Sequence, residues 1–316
     1  GDSIFMLLAL NAGQLLPTVR SRCRLVRMTG FSDELIFRQL QALYPGEEKC
    51  RQAAQMAGGN IGRGVALIEK RELWELAALA ERLCAEADSL SAAQAAEMLR
   101  GAKDKMDELG LVPFSLSGHC NLMDAQRLPD FVMNMRLANF FGCEYIVSSI
   151  GEAHLKDNAK AGNELLAQNI RSLVPSLEKY GLTLVLELHG EHATGTIMKE
   201  IVDLVGSARV KINYDTANCV FYGDVDAASD MDTCMDDIAY LHLKDKAGAR
   251  NAWDFPALGK GYVDFETIFS KLDAAHNASP FSVEIEFTQA GPKDLAEINT
   301  AVQDSAEYLK AHGFTL

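Results

Sequence analysis

From residue 111 onward, short apolar runs alternate with longer amphipathic stretches, and this rhythm restricts the chain to few folds. Runs at 111–116, 144–149, 182–188, 210–214, 238–243 and 281–287 predict strands. Stretches at 124–141, 158–179, 196–205, 265–275 and 293–312 predict the helices between them. Short, continuously apolar strands are buried on both faces, and regular strand–helix alternation places them in a parallel sheet covered by helices. The expected fold class is therefore α/β. The six units share no sequence self-similarity, so the repeat is architectural.

Residues 1–110 have a different rhythm. Apolar runs at 3–10 and 23–28 predict two strands with a short helix at 15–22 between them. Ser32 is a candidate N-cap for a helix reaching Tyr44, which Pro45-Gly46 ends. Further helices are expected at 47–57, 64–87 and 91–109, with Gly58-Gly59-Asn60 as a break and Gly110 as a stop. Charge changes sign along the chain as well. Residues 1–71 carry ten Lys/Arg against six Asp/Glu, whereas residues 72–316 carry twenty against thirty-eight, within a net charge of −14. Such asymmetry predicts two segments of different ancestry, and the acidic bulk disfavours nucleic acid as a partner. No apolar run is long enough to cross a bilayer, and the N-terminal apolar stretch lacks the basic flank of a secretory signal. Seven cysteines without a CxxC pair read as reduced thiols, hence a cytoplasmic location.

In parallel α/β proteins, chemistry collects at the carboxyl ends of the strands. There the chain places Glu187 and His189 in LELHGEH, Asp215 and Asn218 in YDTAN, His242, Lys244 and Asp245 in HLKDK, and Glu284 and Glu286 in SVEIEF. One such residue alone would read as a helix cap or a solvated rim group. Four consecutive strand ends carrying a carboxylate or an imidazole call for a shared partner, because ionised groups flanked by Leu, Val and Ile are costly to bury unpaired. Glu187, Asp215, His242 and Glu284 offer three oxygens and one nitrogen. This set suits one divalent metal of the Mn²⁺, Mg²⁺, Co²⁺ or Zn²⁺ type. Glu286 shares a strand face with Glu284 and is expected nearer the rim.

Residues 106–316 resemble the sugar-phosphate isomerase/epimerase superfamily of xylose-isomerase-like TIM barrels. The resemblance rests on Glu187 in LELH, Asp215 in YDTAN, His242 in HLKDK, Glu284 in SVEIEF and the glycine loop LGKGYVDF at 258–265. It implies one divalent metal on those four residues, with Glu187 and Glu284 as the catalytic carboxylates that move a proton through an enediolate of a small sugar. Supporting substrate contacts are expected from His189, His119, Lys244 and Trp253, with Phe255 beside Trp253, and from Asn218, which stands where many relatives carry histidine. Each has a plainer reading: a hydrogen-bonded histidine, a surface salt bridge for Lys244, apolar packing for the aromatics. Glu152 and His154 follow the 144–149 strand and rank below these.

A complete barrel of that family has eight strands, and only the last six are visible. The first units being missing, activity is expected to be impaired. In their place, residues 1–105 resemble the AAA+ segment of bacterial clamp-loader delta-prime subunits through LLPTVRSRC. That resemblance would make Arg22 an arginine finger and Arg63 a sensor residue, although no GxxxxGK[ST] loop is present. The expected architecture is an open six-stranded half-barrel beside a mainly helical segment. Its two sheet edges would need cover from a homo-oligomer or another chain; the alternative is closure by the 3–10 and 23–28 strands. Two other functions compete with the isomerase: a clamp-loader-like interaction subunit, and a metal-dependent phosphodiesterase of the abasic-endonuclease type. The phosphodiesterase would need more His and Asp ligands than the chain supplies.

Overall fold

The computed structural model describes residues 30–70, 79, 91–151 and 161–315. The expected elements at 3–10, 15–22 and 23–28, with Arg22, and the pair Glu152 and His154 lie outside the described residues. The chain divides into two compact units, 1–68 and 69–316.

In the first unit, α1 (Asp33–Leu43) starts where the Ser32 side chain accepts from Leu35 N–H and buries Ile36 and Leu40. It ends before Pro45, which disfavours helical backbone at the residue preceding it. Helix α2 (Cys50–Met56) buries Cys50, Ala53 and Ala54. Gly58 and Gly59 then adopt left-handed backbone, φ 55° and 80°. Helix α3 (Ile61–Glu69) starts three residues before the expected 64, because Asn60 Oδ1 accepts from Arg63 N–H and caps it. Gly64 lets this helix approach α1: a Cβ there would lie 3.1 Å from Leu40.

The second unit opens with α4 (Ala92–Glu108), capped reciprocally by Ser91 and Gln94. Strand β1 (Ser115–Ser117) follows, then α5 (Leu128–Phe141), β2 (Tyr145–Ser148), α6 (Asn163–Tyr180), β3 (Thr183–Glu187), α7 (Gly195–Val205) and β4 (Val210–Asp215). Two short helices, α8 (Asn218–Phe221) and α9 (Ala227–Asp230), precede β5 (Ile238–Lys244). The chain closes with β6 (Asp254–Phe255), α10 (Phe265–Ala274), β7 (Phe281–Glu284), β8 (Phe287–Thr288) and α11 (Leu295–Ala311). Six strands pair in the order β1-β2-β3-β4-β5-β7, all parallel. The sheet curls into a half-barrel with helices around it, an incomplete TIM barrel of the α/β class.

Alternation along each strand separates two layers. Leu184, Leu186, Ile212, Tyr214, Leu241 and Leu243 face outward and join the main core with α5, α6, α7 and α10. Val147, Val185 and Tyr240 face inward and form a smaller cluster. The inward set continues up the strands to Glu187, Asp215, His242 and Glu284.

Three expected boundaries differ for physical reasons. Strand β1 begins at Ser115 rather than 111 because Pro113 has no N–H for the ladder; Leu111 and Val112 are exposed. The 124–141 stretch splits at Leu128, where a capped 3₁₀ turn at Ala125–Arg127 precedes the helix. The 281–287 run ends at Glu284, since Phe287 turns into left-handed backbone at φ 61°. Phe287–Thr288 then pairs antiparallel with Asp254–Phe255, a ribbon the apolar pattern does not announce.

Candidate metal centre

Strand register brings the polar strand ends together. Glu187 pairs with Asn213, Asp215 with His242, and Lys244 with Glu284. The inward residues at the tops of β3, β4, β5 and β7 therefore converge. One ligand atom each from Glu187, Asp215, His242 and Glu284 lies within 4.8 Å of the other three. His242 Nδ1 is 2.8 Å from Glu284 Oε2, 3.5 Å from Glu187 Oε1 and 3.8 Å from Asp215 Oδ2.

Two buried atoms show that the cluster is not satisfied by its own members. Asp215 is fully buried, and its Oδ1 accepts from the N–H groups of Ala217 and Asn218 at 2.9 and 2.8 Å. Its Oδ2 points into the cluster without a hydrogen-bond donor. His242 Nδ1 is close to three carboxylates yet makes no well-angled hydrogen bond to any. A carboxylate oxygen and an imidazole nitrogen aimed at one point, with two glutamates beside them, is a donor set that fits a divalent cation.

Electrostatics follow from burial opposed by pairing. Burial raises the Asp215 carboxyl above its ordinary value, against the pull of Lys244 and His242. Burial acts in the same sense on Glu187 and Glu284, but His242 outweighs it, with Lys244 adding to its effect at Glu284, and both are held low. Burial depresses His242 less than the three carboxylates raise it, so the ring favours its charged form. Glu286 is pushed up to about 7, by burial first and then by the neighbouring Glu284.

Around this cluster the expected supporting residues divide. Asn218 is fully engaged: Nδ2 donates to Glu187 Oε1 (3.3 Å) and to Leu188 O (3.0 Å), and Oδ1 accepts from Lys244 Nζ (3.2 Å). It braces the cluster. Lys244 is no surface salt bridge, because only 2% of its side chain is exposed. Its ammonium donates to Asn218 Oδ1 and Glu284 Oε1 (3.1 Å), lies 3.0 Å from Glu286 Oε1, and rests 4.5 Å from the Phe255 ring centroid. Phe255 is thus buried packing beneath the site. His119 Nδ1 accepts from Ser149 N–H at 3.0 Å, which leaves the proton on Nε2, 3.6 Å from Glu187 Oε2. Its side chain is 42% exposed, so it faces both the cluster and the open side of the sheet. His189 Nε2 lies 3.4 Å from the Tyr222 hydroxyl, with the two rings 4.7 Å apart. Trp253 meets Phe221 and Phe255 edge-on and lines a cavity of about 520 Å³ with Glu286, Thr288, Gln289 and Gly291.

Asp245, one of the polar strand-end residues, serves the backbone instead. It accepts from the N–H groups of Lys246 (2.7 Å), Gly261 (2.8 Å) and Val263 (3.2 Å), pinning the glycine loop against β5. A Cβ on Gly261 would collide with Lys246 O and Asp245 Oδ1, so the loop needs glycine there. Tyr222 and Ser149 are contacts that the sequence pattern missed. Tyr222 follows the short helix α8 four residues after Asn218, and that spacing was the available signal.

A half-barrel of parallel strands with acidic and imidazole groups at its carboxyl end defines a class of α/β-barrel proteins with a candidate metal centre. Residues 74–312 match the xylose isomerase-like TIM barrel family, and the chain belongs to that family. Among solved structures, a xylose isomerase domain protein from Planctomyces limnophilus superposes with a TM-score of 0.58 at 20% identity, over 68% of this chain and 82% of that one. D-allulose 3-epimerase from Methylomonas sp., solved in complex with D-allulose, gives 0.54 at 16%, over 67% and 81%. The IOLI protein, solved with a bound zinc atom, gives 0.55 at 18%, over 71% and 87%. At these identities the likeness establishes the fold. No curated protein matches the chain in sequence. The clamp-loader resemblance of residues 1–105 finds no support in these comparisons, and residues 74–105 fall within the barrel family's match. No helix among the described residues is long and apolar enough to cross a membrane.

Proposed function

We propose that the chain is a divalent-metal-dependent sugar isomerase or epimerase that moves a proton through an enediolate. The observation that carries this reading is the convergence of Glu187, Asp215, His242 and Glu284 on one point, with the buried Asp215 Oδ2 left without a donor. These four residues would hold the ion. When bound, the metal supplies Lewis acidity to a carbonyl and its adjacent hydroxyl. The chain's own residues do the rest. One of the two glutamates, Glu187 or Glu284, takes the proton from the carbon beside the carbonyl, and the enediolate forms as that C–H electron pair moves into the new C=C bond. A second group then returns a proton. Return to the other carbon isomerises; return to the opposite face of the same carbon epimerises. Asn218 and Lys244 fix the two carboxylates in place. His119, part-exposed and with Nε2 3.6 Å from Glu187 Oε2, is positioned to touch a substrate hydroxyl. The relatives that bind or act on sugars, among them the D-allulose epimerase, support a small sugar as substrate.

The test is proton exchange in D₂O. Ketose and aldose sugars are incubated with chelator-stripped protein and with protein reloaded with Mn²⁺, Co²⁺, Mg²⁺ or Zn²⁺, and deuterium at the carbon beside the carbonyl is followed by NMR. Metal-dependent incorporation, abolished in Glu187→Gln and in Asp215→Asn, is expected. Absence of metal binding, or incorporation indifferent to both substitutions, refutes the proposal.

A further inference from the structure

We propose that Lys244 is a tethered cation that limits the cluster to one divalent ion and leaves Glu284 a single oxygen to offer it. The inference rests on the metal reading above and concerns how many ions the cluster holds. Around the His242 nitrogen and around the Lys244 ammonium lie two adjacent oxygen-lined positions. Glu284 is split between them: Oε2 is 2.8 Å from His242 Nδ1, and Oε1 accepts from Lys244 Nζ at 3.1 Å. Asp215 Oδ2 faces both, 3.8 Å from His242 Nδ1 and 3.9 Å from Lys244 Nζ. The second position is completed by Glu286 Oε1 at 3.0 Å and Asn218 Oδ1 at 3.2 Å from Nζ.

Four oxygens surrounding a buried point, two of them from carboxylates that also reach the first position, is the donor pattern of a two-cation site. Here the second cation is covalent. The ammonium fills the place, is shielded from water, and cannot diffuse away. It has three N–H donors and three oxygens at hydrogen-bond distance, so no donor remains to recruit another group. Glu284 Oε1, occupied by Nζ, is withheld from an ion at the His242 position. Four carboxylates at one strand-end cluster would otherwise attract a second divalent ion, because oxygen-rich acidic sites suit hard cations.

The experiment counts ions. Full-length protein is stripped with chelator and titrated with Mn²⁺ by calorimetry, with free Mn²⁺ followed by electron paramagnetic resonance. Wild type is expected to bind one ion per chain. Lys244→Met is expected to bind two, and Lys244→Met with Glu286→Gln to return to one. Far-UV circular dichroism confirms the fold of each variant. If Lys244→Met does not fold, Lys244→Gln decides, since its polar head tolerates the buried surroundings while its shorter, neutral side chain leaves the ammonium's place open, and two ions are again expected. A folded Lys244 variant that binds one ion or none overturns the inference, as does a wild-type chain that binds two. A wild-type chain that binds none overturns the metal reading itself.

Discussion

Replacing Asp215 by Asn separates the cost of holding the site open from the gain of filling it. The Asn carbonyl can keep the acceptor role of Oδ1 toward Ala217 and Asn218 N–H, so the start of α8 keeps its backbone bonds. What changes is the second atom, a donorless buried oxygen that becomes an N–H₂ group facing carboxylates. In the metal-free protein, burial raises the Asp215 carboxyl above its ordinary 3.8. A carboxyl whose folded pKa is raised costs nothing while protonated, and its cost grows as pH rises from the unfolded value through the folded one. At neutral pH this raised carboxyl therefore costs the apo chain stability, and Asp215→Asn is expected to stabilise it by about 1–2 kcal/mol, within the gain that a single stabilising substitution commonly gives. For a unit the size of residues 69–316, about 2–4 °C of Tm per kcal/mol makes this a rise of about 2–8 °C. Saturating metal acts in the opposite order. An ion at about a hundredfold above Kd stabilises the wild type by about 2.7 kcal/mol, or roughly 5–10 °C on the same scale, and the variant gains little. Thermal melts in EDTA and in excess Mn²⁺ should thus show the variant higher without metal and the wild type higher with it. A variant less stable than wild type in EDTA, or an equal metal shift in both, would refute the reasoning.

Asn218→Ala removes the brace between Glu187 and Lys244, and calorimetry should show metal affinity lowered by about 10–100-fold. Gly261→Ala forces a side chain into Lys246 O and Asp245 Oδ1; urea denaturation should show a loss of about 3 kcal/mol. Glu286, raised to about 7 from 4.5, binds a proton more tightly when folded. Apo stability should therefore fall as pH rises between those values, and Glu286→Gln should flatten that part of a Tm–pH curve.

The convergence of four strand-end positions was legible because each interrupts an apolar strand at the same structural level, and parallel strands in sequence order bring such levels together. Chain direction and pleat alone place Glu187, Asp215, His242 and Glu284 on one face. Pairwise partners were not legible. Lys244 lies two residues after His242 and so shares its face, yet nothing in HLKDK tells a buried ammonium shared by Asn218, Glu284 and Glu286 from a solvated one. Asp245 looks like a fifth site residue, but its acceptors are filled by Lys246, Gly261 and Val263 N–H groups, two of them from a loop sixteen and eighteen residues away. The bend after Glu284 depends on left-handed backbone at Phe287, a residue type that gives no warning of it.

The positions of those strands also explain how a partial barrel can bring together an intact candidate metal centre. Glu187, Asp215, His242 and Glu284 come from β3, β4, β5 and β7, four adjacent members of one ladder, with register fixed by direct pairing. None of the four comes from β1, the strand at the opposite edge. Among the described residues the cluster therefore depends on hydrogen bonds within the half-barrel, whereas a substrate pocket in a closed barrel is walled from all sides. The edges are where this sheet is least buried: Ser117 on β1 and Val283 on β7 are both exposed. Ion binding and turnover should accordingly respond to different perturbations. Substitutions within the ladder, such as Asp215→Asn, should abolish both. Changes at the rim, such as Trp253→Ala beside the 520 Å³ cavity, should weaken sugar binding and leave the ion in place. Measured by calorimetry with Mn²⁺ and by KM for the sugar, a Trp253→Ala chain that lost its ion would contradict this division, in which the indole packs edge-on against Phe221 and Phe255 at the rim.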